Sequence, residues 1–261
     1  SSKIRKLPAE SLELLEHCAC IGNTFPPAVL SEIKGLTLLE TYQALKPALR
    51  QGLLVEAKDQ VRFIHDKVHE ATLAAIPPQR RREIHWRVGN HLLSSALQAS
   101  ADLEKVDNLF SIVAHLNMGR QDTLDRETAY RLSDLNYHAG NKALKSLATE
   151  AANGYFRLSR ELLPADCWED AHYNQTFRIL QRAARTELMC GNYDGSELLL
   201  SFLLDHARSD LDRAECLAEQ TTSLSSIGSF RSAIETANKG LAYFGKAIPM
   251  DPQEAERRGR Q

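Results

Sequence analysis

The side chains with the greatest chemical potential lie in Val61-Arg62-Phe63-Ile64-His65-Asp66-Lys67-Val68-His69-Glu70, where an alternating apolar segment runs into His-Asp and then a helix-like pattern. If a helix begins by Asp66, His65 and His69 share one face, the spacing at which two imidazoles can hold a metal ion. No third ligand is identifiable beside them. The competing reading has His65 capping or satisfying local backbone groups while His69 sits on a polar surface. His85, His115 and His138 stand singly in helical patterns, where structural roles are the default.

No complete catalytic centre accompanies these residues. The sequence has no Gly-x-x-x-x-Gly-Lys-Ser/Thr, no Gly-x-Gly-x-x-Gly after a strand, no protein-kinase signature, no Gly-x-Ser-x-Gly and no His-Glu-x-x-His. The segment is therefore read as non-catalytic, with no cofactor and no metal of its own. Cys18 and Cys20 are two apart in a helical pattern, so they point to different faces and read as small buried apolar residues. Five scattered cysteines do not make a disulfide framework and read as reduced thiols.

The elements that must position the His-Asp segment are helical, with one hairpin. Pro8 opens a helix carrying Leu12, Leu15 and Ala19, which Gly22-Asn23 stops. Pro26-Pro27 starts a short helix to about Ile33. Thr37 caps a third, whose apolar face is expected to be Leu38, Leu39, Tyr42, Leu45 and Leu49. Leu53 to Glu56, a polar turn at Lys58-Asp59-Gln60 and Val61 to Ile64 form a hairpin. Three helices and a hairpin make a winged-helix-like unit over residues 1–78, closed by Pro77-Pro78 after a helix from about Asp66 to Ile76.

A connecting helical segment follows over residues 79–125. Its first helix, Gln79 to Leu97, sets Ile84, Val88 and Leu92 opposite Arg80, Arg81, Arg82 and Arg87, a cluster that is either a solvated face or a phosphate contact. The second spans Leu103 to Met118 and ends at Gly119. Residues 126–261 then repeat: Gly191-Asn192-Tyr193-Asp194-Gly195-Ser196 returns 37 residues later as Gly228-Ser229-Phe230-Arg231-Ser232-Ala233. That spacing resembles tetratricopeptide repeats of about 34 residues, with small residues where paired helices meet closely. These are Ala184 and Ser196 in one unit, Thr221 and Ala233 in the next. A looser copy upstream pairs Tyr130, Leu135 and Ala139 with Ala148, Ala151, Tyr155 and Leu158; Trp168 between copies reads as a packing anchor.

A formal charge of -2 gives no electrostatic reason to expect a polyanion or an anionic membrane as partner. No apolar run reaches the roughly 20 residues that span a bilayer, which points to the cytoplasm. The Ser1-Ser2 start and the charged, helix-like stretch Glu254 to Gln261 read as the bounds of a piece excised from a larger protein.

Ordered along the chain, Ile21-Gly22-Asn23-Thr24-Phe25, Leu45-x-x-Ala48-Leu49-x-x-Gly52-Leu53-Leu54, Phe63-Ile64-His65-Asp66 and Ile84-His85 resemble the region after the nucleotide-binding domain of STAND signalling ATPases. Leu109-Phe110-x-Ile112-Val113-x-His115-Leu116-Asn117 and Leu135-Asn136-x-x-Ala139-Gly140-x-Lys142-Ala143 narrow the resemblance. They are similar to large proteins joining a serine/threonine kinase-like domain, an AAA-type ATPase, helical repeats, a GAF domain and a sensor histidine kinase. The resemblance implies a winged helix followed by helical repeats, with ATP or ADP and Mg held by other domains of the parent protein. It also implies that Ile64-His65-Asp66 matches the family's Met-His-Asp triplet, whose histidine reaches the phosphates of ADP; Ile64 stands in for Met. An imidazole presented by a movable domain can couple nucleotide state to docking. The alternative is that His65-Asp66 is purely structural.

The expected function is a protein-interaction and signal-relay segment whose partners are domains of the same parent or another signalling protein. The alternative is a DNA-binding transcriptional regulator whose helix from Thr37 to Gln51 would enter the major groove, although it brings only Lys46 and Arg50 as cations, beside Glu40.

Overall fold

The computed structural model describes residues 3–100 and 102–250. Ser1-Ser2 and the Glu254 to Gln261 stretch lie outside the described residues. Within them are twelve α-helices and one three-stranded sheet, so the chain is mainly helical. It divides into two compact units, Ser1–Leu124 and Asp125–Gln261.

The first unit runs α1 (Ala9–Ile21), β1 (Thr24–Phe25), α2 (Pro27–Lys34), α3 (Leu38–Arg50), β2 (Leu54–Ala57), β3 (Gln60–Phe63), α4 (Asp66–Ala75), α5 (Pro78–Ala99) and α6 (Leu109–Gly119). Local chemistry fixes the boundaries. Pro27 and Pro78 occupy the first helical turn, where a missing N–H costs nothing. Thr37 and Glu40 form a reciprocal capping box, with Glu40 N–H donating to Thr37 Oγ1 at 3.2 Å and Thr37 N–H to Glu40 Oε2 at 2.8 Å. Such a cap is worth about 1 kcal/mol.

The sheet is antiparallel in the order β1-β3-β2, with Thr24 opposite Arg62 and Leu54 opposite Phe63. Phe25, Leu54, Val61 and Phe63 send their side chains into a core with Leu14, Leu15, Leu30 and Leu45. The expected apolar face of α3 needs correction. Thr41, Ala44, Leu45 and Ala48 are buried, whereas Leu38 and Leu39 are 52% and 69% exposed. Thr41 can lie inward because its hydroxyl donates to the Thr37 carbonyl or to Ser31 Oγ; Leu39 is out of phase with that stripe, and Leu38 sits in the first turn.

Helices α5 and α6 group with this first unit and touch almost backbone to backbone. A Cβ at Gly119 would lie 2.2 Å from Trp86 N, and one at Gly89 would lie 2.8 Å from Leu116 Cδ2. The second helix begins at Leu109, later than its apolar pattern suggested, after a separate short turn at Leu103–Lys105.

The second unit is six helices: α7 (Arg126–Lys145), α8 (Thr149–Glu161), α9 (Tyr173–Met189), α10 (Tyr193–His206), α11 (Asp210–Ser226) and α12 (Phe230–Ala242). They pack as successive pairs, each pair joined to the next through α8 with α9 and α10 with α11. Ala184, Ser196 and Ala233 are buried at close contacts, and Thr221 is half-buried. On α8 the buried stripe is Ala152, Phe156 and Ser159, one residue on from the expected Ala151, Tyr155 and Leu158. Two contacts set that phase. Gly140 leaves room for the Phe156 ring, and the Ser133 and Ser159 hydroxyls each donate to the other's carbonyl at 2.7 Å.

The turns inside the pairs explain why one copy looked loose. Gly191 and Gly228 adopt left-handed backbone, φ 81 and 78, and the corresponding place in the first pair is Leu147 at φ 59, 89% exposed. Left-handed backbone costs a residue with a Cβ about 1–2 kcal/mol.

Two outcomes are expected in denaturant titrations of the whole chain. Gly119→Ala should destabilise the first unit by about 3 kcal/mol or more, because the new methyl meets backbone that cannot step aside. Leu147→Gly should stabilise the second unit by roughly 1 kcal/mol; a loss of stability would show that the leucine side chain is held by contacts after all.

Candidate functional site

The Phe63-to-His69 segment is fastened at both ends. Phe63 N–H donates to the Asn23 carbonyl at 3.0 Å and Ile64 N–H to the Leu53 carbonyl at 3.1 Å, which ties the end of β3 to its neighbours. On α4, His69 Nε2 donates to the Ala19 carbonyl at 2.8 Å, and its ring packs against Phe63 with centroids 5.0 Å apart. His69 is thus a clamp between α1, β3 and α4, in place of the polar-surface role expected. Asn23 Nδ2 donates to Asp66 Oδ1 at 3.0 Å.

His65 occupies the N-cap of α4 in extended backbone, φ -147 and ψ 147, and its side chain makes no cap hydrogen bond. It is exposed. A rigid frame therefore presents one imidazole to solvent, and the expected backbone-capping role is not the one it takes. The two histidines do not converge as a ligand pair, since His69 Nε2 is engaged with a carbonyl. Among the described residues no group of three or more His, Cys, Asp and Glu could hold a metal ion.

Three other histidines, single in the sequence, are buried. His17 Nδ1 meets the Glu13 carbonyl at 2.8 Å, and burial, the largest influence, pushes its pKa down to about 4. His85 and His115 meet Nδ1 to Nδ1 at 2.9 Å across the α5–α6 contact, so one ring donates and the other accepts. Burial first, then His115 and Arg81, lowers His85 to about 4, and burial lowers His115. Nothing in the sequence pairs positions 30 apart; only the close approach of the two helices does.

The second unit carries a groove along α7, α9 and α11, the first helix of each pair. One part, about 680 Å3, is lined by Tyr130, Asp134, Tyr137, Asn174 and Arg178 among others; it continues into a second part of about 380 Å3 that shares Tyr137, Asn174 and Arg178 and adds Arg182, Asp212 and Glu215. Asn174, Arg178 and Arg182 recur every fourth residue and so lie in one row on α9. Neither arginine has a carboxylate partner among the described residues, while Gln181 bonds Glu215 at 3.1 Å and Gln175 approaches Asp134 at 3.5 Å.

Tyr173 fixes the end of the groove: its hydroxyl donates to Asp212 at 2.8 Å and accepts from Arg208 N–H at 3.0 Å, with the Arg208 guanidinium 4.4 Å above the ring. Trp168 is half-buried and stacks on His206 with centroids 4.3 Å apart, which is the packing role expected of it. The groove residues were not singled out in the sequence. Their signal was the four-residue spacing on the side of α9 opposite Ala183 and Ala184.

No family model matches the chain. It is 26% identical to hybrid signal transduction histidine kinase G of Dictyostelium discoideum over 60% of this chain and 5% of that protein. A solved structure, the signal transduction ATPase with numerous domains (STAND) protein with a tetratricopeptide repeat sensor from Pyrococcus horikoshii, aligns with 97% of this chain and 40% of its own at a TM-score of 0.41 and 15% identity. The chain thus spans only a small part of the kinase and less than half of the ATPase. Among the described residues no helix is long and apolar enough to cross a membrane.

Two measurements check the site. His69→Ala should cost the first unit about 1–3 kcal/mol, because the Ala19 carbonyl loses its donor; His65→Ala should stay within about 0.5 kcal/mol, as an exposed residue without partners does. The buried histidines titrate below their unfolded value of 6.5. The unfolded chain therefore binds the extra protons, so first-unit stability is full above pH 6.5 and should fall on acidification toward pH 4. A denaturation midpoint constant across that window would contradict it.

Proposed function

We propose that this chain is a non-catalytic protein-interaction and signal-relay segment of a larger multidomain signalling ATPase or kinase, coupling a nucleotide-binding domain to downstream output. The observation that carries the proposal is the groove along α7, α9 and α11, where Asn174, Arg178 and Arg182 form an uncommitted polar row. Such a surface offers a partner the charge of Arg178 and Arg182 beside the carboxylates of Asp134, Asp212 and Glu215, without a nucleophile and base. The stretch of similarity to a hybrid histidine kinase supports the signalling context.

In this proposal residues 1–78 of the first unit are a winged-helix-like domain, followed by a connecting helical segment over residues 79–125. The support for the winged helix is the order α1-β1-α2-α3-β2-β3, the sheet order β1-β3-β2, and the three-residue turn Gly35-Leu36-Thr37 between α2 and α3, which has the form of a helix-turn-helix. The second unit is a tetratricopeptide-like array that binds domains of the same parent or another signalling protein, in the cytoplasm. Serine/threonine or histidine kinase activity, and ATP or ADP with Mg, belong to other domains. His65, exposed on its rigid frame, is the residue that would donate to an ADP phosphate there. The DNA-binding alternative gains no support from α3, whose exposed side chains are Leu38, Leu39, Glu40 and Gln43 beside Lys46 and Arg50.

Arg178→Glu combined with Arg182→Glu should weaken capture of the parent's other domains at least tenfold while leaving the thermal midpoint near that of the wild type. Undiminished capture by a folded double variant would remove the groove from the proposal. In the intact protein, His65→Ala should shorten ADP retention, and retention equal to wild type would end the sensor role.

A further inference from the structure

The arginines clustered near the start of α5 have separate fates. Arg80 is committed to α1, with Nη2 2.9 Å from Glu13 Oε1 and Nε 3.6 Å from Glu16 Oε2. Lys34 Nζ shares Glu13 at 2.6 Å, and that bond is the main reason the Glu13 carboxyl is held below its usual range. Arg82 Nη1 meets Asp122 Oδ1 at 3.2 Å. Arg81 is exposed and has no carboxylate partner among the described residues.

Arg81 lines a cleft of about 620 Å3 bounded by the end of α1, α4, the start of α5 and the end of α6. Cys20, His69, Arg82, His85 and Met118 line it as well, and among the described residues no Asp or Glu does. Three features converge on this space. Arg81 supplies an unpaired fixed charge, and Arg82 a second guanidinium that Asp122 partly neutralises. The third is His85, whose Nδ1 is taken by His115 while its Nε2 has no hydrogen-bond partner among the described residues. If His115 provides the shared proton, His85 carries its own on Nε2 and becomes a donor.

The charge of Arg81 is felt by the walls: it is among the influences lowering His85, and it is the largest one opposing the burial that pushes Cys20 up to about 12. Ala19, Leu73 and Met118 add apolar surface to the other sides of the cleft.

We propose that this cleft binds a phosphorylated small molecule, with its phosphate held by Arg81 and flanked by Arg82 and His85. A phosphate is favoured over a carboxylate because its oxygens can use two guanidinium groups and a ring N–H together. The site is separate from the groove of the second unit and does not depend on the relay function.

Inorganic pyrophosphate titrated into the whole chain by calorimetry, at constant ionic strength in chloride, should bind saturably. Arg81→Gln should weaken that binding at least tenfold with an unchanged ligand-free thermal midpoint, while Arg62→Gln, on an exposed position of β3, should leave it intact. Citrate should bind at least tenfold more weakly than pyrophosphate. Absence of saturable binding, equal affinity in Arg81→Gln, or citrate binding as tightly as pyrophosphate would each overturn the proposal.

Discussion

Close approach of paired helices is the constraint on which both units rest. Where α5 meets α6, the space between backbones is too small for any side chain at Gly119. Where α7 meets α8, Gly140 makes room for Phe156 and two serines exchange hydrogen bonds. Burial of apolar area supplies the driving force in such pairs, but the small residues decide which faces can meet. That choice has a chemical consequence elsewhere: it brings His85 against His115.

Much of the architecture was legible because helix signals are local. Thr37 with Glu40, Pro27, Pro78, Gly191 and Gly228 each state a boundary in a few residues. Three kinds of feature were not legible. β1 is two residues long and has no periodicity to detect; its place depends on pairing with β3, 38 residues away by the Thr24–Arg62 register. Helix phase was misjudged on α3 and α8 because polar Thr41 and Ser159 are buried through hydrogen bonds, a burial that apolar counting misses. The roles of His65 and His69 were open for the same reason. Both lie within one turn, yet one is fixed by a carbonyl from α1 and the other is left in solvent.

A clamp through His69 holds an extended backbone so that a neighbouring side chain is displayed, and a row of arginines is left without internal partners. Burial keeps the interior groups His17, His85 and Cys18 neutral near pH 7. Charges instead gather on surfaces, either neutralised as at Glu13, Lys34 and Arg80 or left open as at Arg81 and Arg178.

Leu147 gives the helical array a direction. In a stack of repeats each unit is coupled only to its neighbours, so cooperativity is limited by the weakest junction. Left-handed backbone at a leucine places stored strain in the first pair, whereas the corresponding turns at Gly191 and Gly228 carry none. The α7–α8 turn is thereby set apart from the later turns of the array as the one whose backbone geometry is bought at a conformational cost.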